Sequence, residues 1–216
     1  MKISAIILAA GSARRMGCQK MLLPMGALTL IEHVTREVIL GGVDRCLVVT
    51  GSDRERIGPL VETAGATEVH NQHHLDGGML SSVRCGLEKT DSETNGFLFC
   101  LGDQPGITAG MIHLMLEKVR SMRTRILVPV CQGKRGHPLY VAASYKVHIE
   151  RNYEKVGLRG LLEEFRSDVY EWEYPNECIL SDLDTPEDYA RWMALHARVS
   201  DSPVSPPHQH ATDGLK

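Results

Sequence analysis

Near its start the chain passes from an apolar run directly into a loop bracketed by two glycines, an order that few folds accommodate. Residues 3–9 are almost all apolar and begin with a β-branched residue, as in a buried strand of a parallel sheet. Gly11 and Gly17 bracket the loop that follows. Because glycine has no Cβ, backbone N–H groups beside it can approach an anion. The sequence therefore predicts a strand that ends at an anion-binding turn.

This region also carries a positive charge that the whole chain lacks. Residues 1–31 contain Lys2, Arg14, Arg15 and Lys20 and no carboxylate, whereas the formal net charge of the chain is −3. A local positive field suits a phosphate group. The glycine spacing matches neither the dinucleotide-binding G-x-G-x-x-G pattern nor the P-loop pattern. Residue types alone leave a second interpretation open, an ordinary strand-to-helix turn with solvated arginines.

Length and composition indicate one globular domain. A chain of 216 residues that is 43% hydrophobic can bury a sizeable core. We expect a domain over residues 1–198 and a disordered tail over 199–216, which is rich in serine and proline. No apolar run approaches the ~20 residues of a membrane span, and Met1 leads directly into a strand, so we expect no membrane partner and a cytoplasmic location. The near-neutral charge and the lack of a long basic stripe argue against a nucleic-acid partner.

The cysteines and the clustered histidines do not indicate a metal centre. The six cysteines include no C-x-x-C pair, and three of them lie in strand-like runs, which predicts free and mostly buried thiols. His70, His73 and His74 form an H-x-x-H-H run in a glycine-rich loop. That run lacks a matching ligand set and the i, i+4 spacing of a helical zinc pair, so we do not assign it to a metal.

Strand-like and helix-like segments alternate along the chain, the pattern of a doubly wound α/β sheet. The fold class predicted is a single-domain, three-layer α/β/α structure with a Rossmann-like, mostly parallel sheet. Thr29 is expected to cap a helix that ends at the glycine pair 41–42. The other predicted strands are residues 45–50, 67–70, 97–101, 125–130 and 139–141, and the other predicted helices include 53–64 and 107–122.

Asp103 follows the most apolar of these strands and is a candidate metal ligand. Ligands in open parallel sheets gather at the carboxyl ends of strands, where Asp103 would face the Gly11 loop. A carboxylate beside a triphosphate repels it unless a divalent cation lies between them, so a Mg²⁺ ligand makes chemical sense. The alternative is an aspartate that starts the turn before Pro105.

Three further segments carry polar groups at expected strand or helix ends. Ser81 and Ser82 lie at a predicted helix start, where they could cap the helix or contact a ligand. Residues 135–138 (Arg-Gly-His-Pro) form an expected exposed cationic turn, in which the histidine either contacts a substrate or is only a turn residue. We expect a strand to deliver Asp182 and Asp184 on one side, just before a helix that begins at 185–187.

These segments together resemble the MobA-like nucleotidyltransferase family, and within it the molybdenum cofactor cytidylyltransferases. The loop contains every fixed position of the family signature L-A-A-G-x-x-x-R-M-G-x-x-K. Further matches are the segments N…G-M-x-x-S-[LV]-R-x-G, G-D-Q-P, R-G-H-P and D-x-D-T-P-E-D, in the family order over residues 3 to about 195. The resemblance implies the nucleotidyltransferase fold.

The resemblance also implies roles for individual positions. Arg15, Lys20 and Asp103 would be catalytic, and Asp103 and Asp184 would hold Mg²⁺, with Asp182 behind them. The nucleotide-binding residues expected on this basis are Leu8, Ala9, Ala10, Gly11, Arg15, Lys20, Thr50, Asn71, Ser82 and Asp103. Candidates for the acceptor side are Arg135, His137 and Arg159.

The implied activity is transfer of CMP from CTP to the phosphate of a molybdopterin-type acceptor, with release of pyrophosphate. An acceptor phosphate is already ionised near neutral pH, because its second pKa is about 6, so no general base is needed. A client molybdoenzyme is an implied protein partner. Alternatives are a guanylyltransferase, although Leu-Ala-Ala-Gly favours cytidine, a sugar- or alcohol-phosphate transferase, or a low-turnover cofactor-binding partner. Lys155 stands where the family pattern has Asp, which leaves the acceptor open.

Overall fold

Strands and helices alternate along the part of the chain that the structure, a computed structural model, describes: residues 1–11, 16 and 18–196. The strands are β1 (Ile3–Ala9), β2 (Pro24–Met25), β3 (Leu28–Thr29), β4 (Arg45–Thr50), β5 (Thr67–His70), β6 (Gly96–Leu101), β7 (Ile126–Cys131), β8 (Lys134–Arg135), β9 (Leu139–Ala142) and β10 (Val169–Glu173). The helices are α1 (Leu30–Leu40), α2 (Arg54–Thr63), α3 (Gly78–Glu88), α4 (Ala109–Met122), α5 (Lys146–Arg151), α6 (Leu158–Glu164) and α7 (Pro186–His196). Short 3-10 turns cover Lys20–Leu22, Ala143–Tyr145, Arg166–Asp168 and Glu177–Leu180.

One sheet with the strand order β10-β7-β9-β6-β1-β4-β5 forms the centre of the domain, and β8 pairs with β7 at its side. Pairing is parallel between β1 and both of its neighbours, between β4 and β5, and between β7 and β10. β9 runs antiparallel to β6 and β7. The predicted mostly parallel, Rossmann-like α/β sheet is confirmed.

Helices pack on both faces of this sheet, which confirms the three-layer arrangement. Alternate residues of β1 point to opposite faces, as the strand period of two requires. Ile7 belongs to the core on one face, with Val34 of α1 and Met111 of α4. Ile6 belongs to the core on the other face, with Val83 of α3. The chain therefore buries two apolar layers around one sheet.

Two helix starts follow from side-chain capping. Glu32 Oε2 accepts hydrogen bonds from the backbone N–H and the hydroxyl of Thr29, at 2.8 and 2.7 Å, so α1 begins where the sequence predicted. α4 begins at Ala109, two residues later than expected, because the hydroxyl of Thr108 accepts from the N–H of Met111 at 3.3 Å.

The segment that carries Asp182 and Asp184 is not a strand, and that prediction was wrong. The 3-10 turn Glu177–Leu180 precedes it, and its backbone is irregular as far as α7. A strand needs a row of ladder hydrogen bonds, whereas here the buried Leu183 donates one, from its N–H to the carbonyl oxygen of Asp103 at 2.9 Å. This contact still attaches the segment to the end of β6.

The cysteines are free, as predicted, but only half of them are buried, since Cys85 and Cys178 are half-buried and Cys18 is exposed. All six are unpaired, and Cys46, Cys100 and Cys131 are buried. Burial raises the pKa of the Cys46 thiol to about 12. Within the described residues no helix has the length and apolar character needed to cross a membrane. Arg15 and the tail 199–216 lie outside the described residues.

Candidate active site

Lys20 lies between two carboxylates at the carboxyl end of the central strands. Its Nζ donates a hydrogen bond to Oδ2 of Asp103 and lies 3.2 Å from Oδ1 of Asp184. The lysine is only 8% exposed. Burial alone would lower the pKa of Lys20, but the charges and hydrogen bonds of the two carboxylates outweigh it and raise the pKa. Lys20 is therefore a fixed cation at neutral pH.

Backbone contacts bring these three groups together from distant parts of the sequence. The 3-10 turn after the first loop carries Lys20, and the side chain of Gln19 anchors that turn to Asp53 at 2.6 Å. Gly102 donates to the carbonyl oxygen of Leu8 at 3.0 Å, so β6 stays against β1 as it ends. A Cβ on Gly102 would lie 3.1 Å from the sulfur of Met21 and 3.2 Å from Leu8, which explains the need for a small residue there.

Asp182 lies behind this group. Gln104 donates from Nε2 to Oδ1 of Asp182 at 2.6 Å. Burial raises the pKa of Asp182, and the neighbouring charges of Asp103 and Asp184 add to the increase. Among the described residues, three carboxylates and one lysine thus share a small region, and the formal charges of these four groups sum to a negative value.

The residues present fit a divalent cation. Lys20 Nζ contacts both Asp103 and Asp184, so one cation can lie within reach of both carboxylates. Among the described residues no group of three or more His, Cys, Asp and Glu side chains forms a self-contained metal cage. Mg²⁺ sites that bind nucleotides commonly use one or two carboxylates and complete the shell with phosphate oxygens and water. The two neighbouring carboxylates therefore suit a divalent ion that is also bound by the phosphate oxygens of a nucleotide.

A cavity of about 460 Å³ opens beside these groups. It brings together seven of the predicted nucleotide or metal residues, namely Leu8, Ala10, Gly11, Lys20, Ser82, Asp103 and Asp184. Met16, Met79 and His74 also line it, although their sequence context predicts no role for them in a site. The sequence feature that could have indicated His74 is its position in the polar loop before α3.

Three predicted nucleotide-binding residues lie away from the lining of this cavity. Ala9 is 2% exposed and belongs to the core. Thr50 is fully buried, and its hydroxyl donates to Glu68. Asn71 is also buried, and its Nδ2 donates to the hydroxyl oxygens of Ser81 and Ser82 at 2.8 and 3.0 Å. Asn71 thus holds the first turns of α3 in place without lining the cavity itself.

The capping interpretation of the two serines was wrong. The N-cap of α3 is Gly77, which makes no side-chain capping bond, and both serines lie within the helix. The Ser81 hydroxyl instead donates to the carbonyl oxygen of Gly78 at 2.8 Å. Because Gly77 and Gly78 have no side chains, the backbone at the start of α3 is accessible, which is compatible with a ligand close to this helix.

A second cavity of about 880 Å³ adjoins the first. The two share Leu8, Gly78 and Met79 in their linings. All three predicted acceptor-side residues, Arg135, His137 and Arg159, line the second cavity, as do Lys134 and Lys155. The structure therefore places the predicted donor and acceptor residues in neighbouring cavities.

The turn that contains His137 is not the exposed cationic turn expected from sequence. Arg135 is exposed but paired with Glu171, at 2.6 Å between Nη2 and Oε1. Burial lowers the pKa of His137 to about 4, against the smaller opposing effect of Asp103, so the imidazole is neutral at pH 7. A Cβ on Gly136 would lie 2.3 Å from the carbonyl oxygen of Ile179, so this turn packs tightly on the segment before Asp182. Close packing, which sequence does not reveal, keeps the imidazole neutral, whereas Arg135 keeps its exposed charge beside Glu171.

Three relatives in sequence match most of the chain. A molybdenum cofactor cytidylyltransferase of Escherichia coli (strain K12) is 29% identical over 87% of this chain and 93% of that protein. A probable molybdenum cofactor guanylyltransferase of Natranaerobius thermophilus is 30% identical over 86% of this chain and 92% of that protein. A nicotine blue oxidoreductase of Paenarthrobacter nicotinovorans is 26% identical over 88% of this chain and 96% of that protein. Since their named activities differ, similarity alone does not fix the substrate.

Solved structures share the fold. The crystal structure of a protein from Mycobacterium sp. strain JC1, described as a homologue of a Mycobacterium tuberculosis protein, matches with a TM-score of 0.78 and 29% identity. The match covers 91% of this chain and 98% of that one. A manganese complex of the Mycobacterium tuberculosis H37Rv protein matches with a TM-score of 0.74 and 23% identity, over 90% of this chain and 99% of that one. At that identity the second match shows the fold alone.

The family model of the MobA-like NTP transferase domain matches residues 5–169, which include β1, Lys20 and Asp103. With the fold and the sequence relatives in agreement, the chain belongs to the MobA-like NTP transferase family and is a nucleotidyltransferase.

Proposed function

We propose that this nucleotidyltransferase moves CMP from CTP to the phosphate of a molybdopterin-type acceptor, with Mg²⁺ and with release of pyrophosphate. The observation that carries the proposal is the meeting of Lys20, Asp103 and Asp184 in a cavity that has a second, partly cationic cavity next to it. A triphosphate donor needs cationic charge at one end of its cavity and an acceptor beside that end. The sequence Leu-Ala-Ala-Gly at residues 8–11 supports cytidine through its resemblance to the cytidylyltransferases.

On the donor side, Asp103 and Asp184 would hold the divalent ion. The ion, when bound, neutralises charge on the phosphate oxygens. Lys20 would then turn from the two carboxylates to the triphosphate, where it stabilises the negative charge that develops on the leaving pyrophosphate. Arg15, which lies outside the described residues, is proposed as a second cation for the triphosphate. A manganese complex of a protein with the same fold is compatible with a divalent ion here.

On the acceptor side, the second cavity combines apolar and cationic lining. Val156 and Leu158 offer apolar surface for a ring system, whereas Lys155 and Arg159 are exposed cations suited to a phosphate. The cavity also contains carboxylates, so the cations act locally rather than through the overall charge. A ring that carries a phosphate is the ligand that this lining suits best.

In the proposed reaction an acceptor phosphate oxygen attacks the α-phosphorus of CTP. The new phosphorus–oxygen bond forms as the bond between the α-phosphorus and the bridging oxygen breaks, and pyrophosphate leaves with that oxygen. No proton has to be removed, because the acceptor phosphate is ionised near neutral pH. The neutral His137 is compatible with this scheme, since it can orient the acceptor without acting as a base.

The test is pyrophosphate release from each of the four common nucleoside triphosphates with Mg²⁺, with and without molybdopterin, together with the mass of the product. CTP-specific and acceptor-dependent release supports the proposal. The 30% identical guanylyltransferase relative makes GTP the second candidate donor, and GTP-specific release would replace cytidine by guanosine. Tight binding of the cofactor without any release would instead indicate a carrier that hands the cofactor to a client molybdoenzyme.

A further inference from the structure

His74 lies in the first cavity, on the opposite side of β1 from the carboxylates proposed to hold the divalent ion. β1 has β6 on one side and β4 on the other. Asp103 follows β6, whereas His74 packs against Gly51, which follows β4; a Cβ on Gly51 would lie 3.1 Å from the ring atoms Cγ and Cδ2 of His74. Two strand spacings amount to about 10 Å. A nucleotide whose phosphates lie near Asp103 therefore has its base on the His74 side.

The hydrogen bond of the His74 ring fixes which nitrogen carries the proton. Nδ1 lies 3.0 Å from the carbonyl oxygen of Asn71. A carbonyl oxygen can only accept, so Nδ1 must donate, and Nε2 of the neutral ring is left as a hydrogen-bond acceptor. The loop that carries His74 is itself ordered by Asn71, whose Oδ1 accepts from the N–H of His73 at 2.9 Å.

This Nε2 acceptor is buried, and no donor in the described part of the chain reaches it. Buried polar atoms in proteins nearly always have a partner, so an exception at a ligand cavity needs an explanation. The carbonyl oxygen of Ala10, a second acceptor in a residue that lines the cavity, would lie 2.8 Å from the same Cβ position on Gly51. The unpaired Nε2 of His74 thus lies near a second acceptor at the base end, and Nε2 requires a donor.

We propose that Nε2 of His74 accepts a hydrogen bond from the exocyclic amino group of the nucleobase and so selects cytosine over uracil. This inference rests on the proposed function. Cytosine presents an amino group at the position where uracil presents a carbonyl oxygen. A carbonyl oxygen opposite Nε2 leaves two acceptors facing each other and unpaired, and sites built around one hydrogen bond reject such an analogue.

The experiment measures the dissociation constants of CTP and UTP directly, with Mg²⁺ and without acceptor, for the full chain and for variants. We expect the unmodified protein to favour CTP over UTP by about tenfold or more, the size of one hydrogen bond to a buried group. His74→Phe keeps a ring against Gly51 but has no acceptor, so it should bring the two constants to within about twofold, chiefly by weakening CTP binding. His74→Gln, whose amide oxygen can accept, should restore part of the preference.

The matched control is His73→Phe, the same change one residue earlier at an exposed side chain of the same loop. It should leave both dissociation constants unchanged. If His74→Phe kept the same ratio of CTP to UTP dissociation constants as the wild type and unfolded at the same temperature, the proposed role of His74 would be overturned. A chain that binds no nucleoside triphosphate at all would overturn the proposed function itself, an outcome distinct from an altered ratio.

Discussion

Lys20 offsets part of the negative charge of the site. Its contacts with Asp103 and Asp184 hold together two carboxylates that would otherwise repel each other. In the proposed reaction the same ammonium group stabilises the leaving pyrophosphate. Loss of Lys20 should therefore have two effects: repulsion between Asp103 and Asp184 in the free protein, and slower turnover.

Replacing Lys20 should affect turnover more than substrate binding. If Lys20 acts mainly in the transition state, Lys20→Ala should lower kcat by about 10²–10³, the cost of losing one preorganised donor, while KM for CTP changes little. Steady-state pyrophosphate release measures both quantities. Lys2→Ala, which removes an exposed lysine paired with Glu93, is the matched control and should retain full activity. A raised KM with unchanged kcat would contradict this role.

Asp103 should determine how much Mg²⁺ the reaction needs. Asp103→Asn keeps the shape of the side chain but removes its charge, so the Mg²⁺ concentration for half-maximal activity should rise by about tenfold or more. The control is Asp91→Asn, an exposed carboxylate that pairs with Arg45. A Mg²⁺ titration curve that does not move would exclude Asp103 from the metal site.

At the scale of elements, the start of α3 depends on a residue outside the helix. The buried Asn71, directly after β5, donates to the hydroxyls of Ser81 and Ser82 and accepts from the N–H of His73. One side chain thus joins the strand end, the loop and the helix. The position of Ser82 in the cavity follows from this connection and not from the helix alone.

Asn71→Ala should loosen this junction. Loss of the buried hydrogen bonds should lower the free energy of unfolding by about 1–3 kcal/mol, and CTP should bind more weakly because Ser82 is no longer held. Urea unfolding and a CTP binding titration measure the two effects. Gln72→Ala, a change at the exposed neighbour, should alter neither. Full stability of Asn71→Ala would show that the hydroxyls find other partners.

The sequence predicted most elements because their patterns are local. The apolar runs of β1, β4 and β6 and the Thr29 cap of α1 are visible in short windows, and the structure confirms them. The segment with Asp182 was misassigned, since its place depends on one backbone bond to Asp103, far away in sequence. The neutral state of His137 and the buried nitrogen of His74 likewise arise from packing between distant segments.

At the scale of the whole molecule, burial of His137 couples stability to pH. The pKa of this imidazole is lowered to about 4 by burial, whereas an unfolded chain has a histidine pKa of about 6.5. Between these values the unfolded chain binds a proton that the folded chain does not. The free energy of unfolding therefore falls as the pH decreases through this window and is fully retained above it.

The size of this effect can be bounded and tested. A shift of this extent corresponds to roughly 3–4 kcal/mol at most, lost between roughly pH 6.5 and 4. The raised pKa of Asp182 acts in the opposite direction at the acidic end, so the wild-type profile alone does not isolate His137. The comparison is therefore between wild type and His137→Gln, by urea unfolding from pH 7 down to 4.5.

His137→Gln should be less stable than wild type at pH 7 but should lose less stability on acidification, so that the two curves converge. The control is His113→Gln, at an exposed position of α4. Its free energy of unfolding should depend on pH in the same way as that of the wild type. Parallel curves for wild type and His137→Gln would show that the imidazole is protonated in the folded protein near its ordinary pKa. Because His137 lines the second cavity, that result would also mean that the imidazole adds positive charge to the acceptor side only below about pH 6.5.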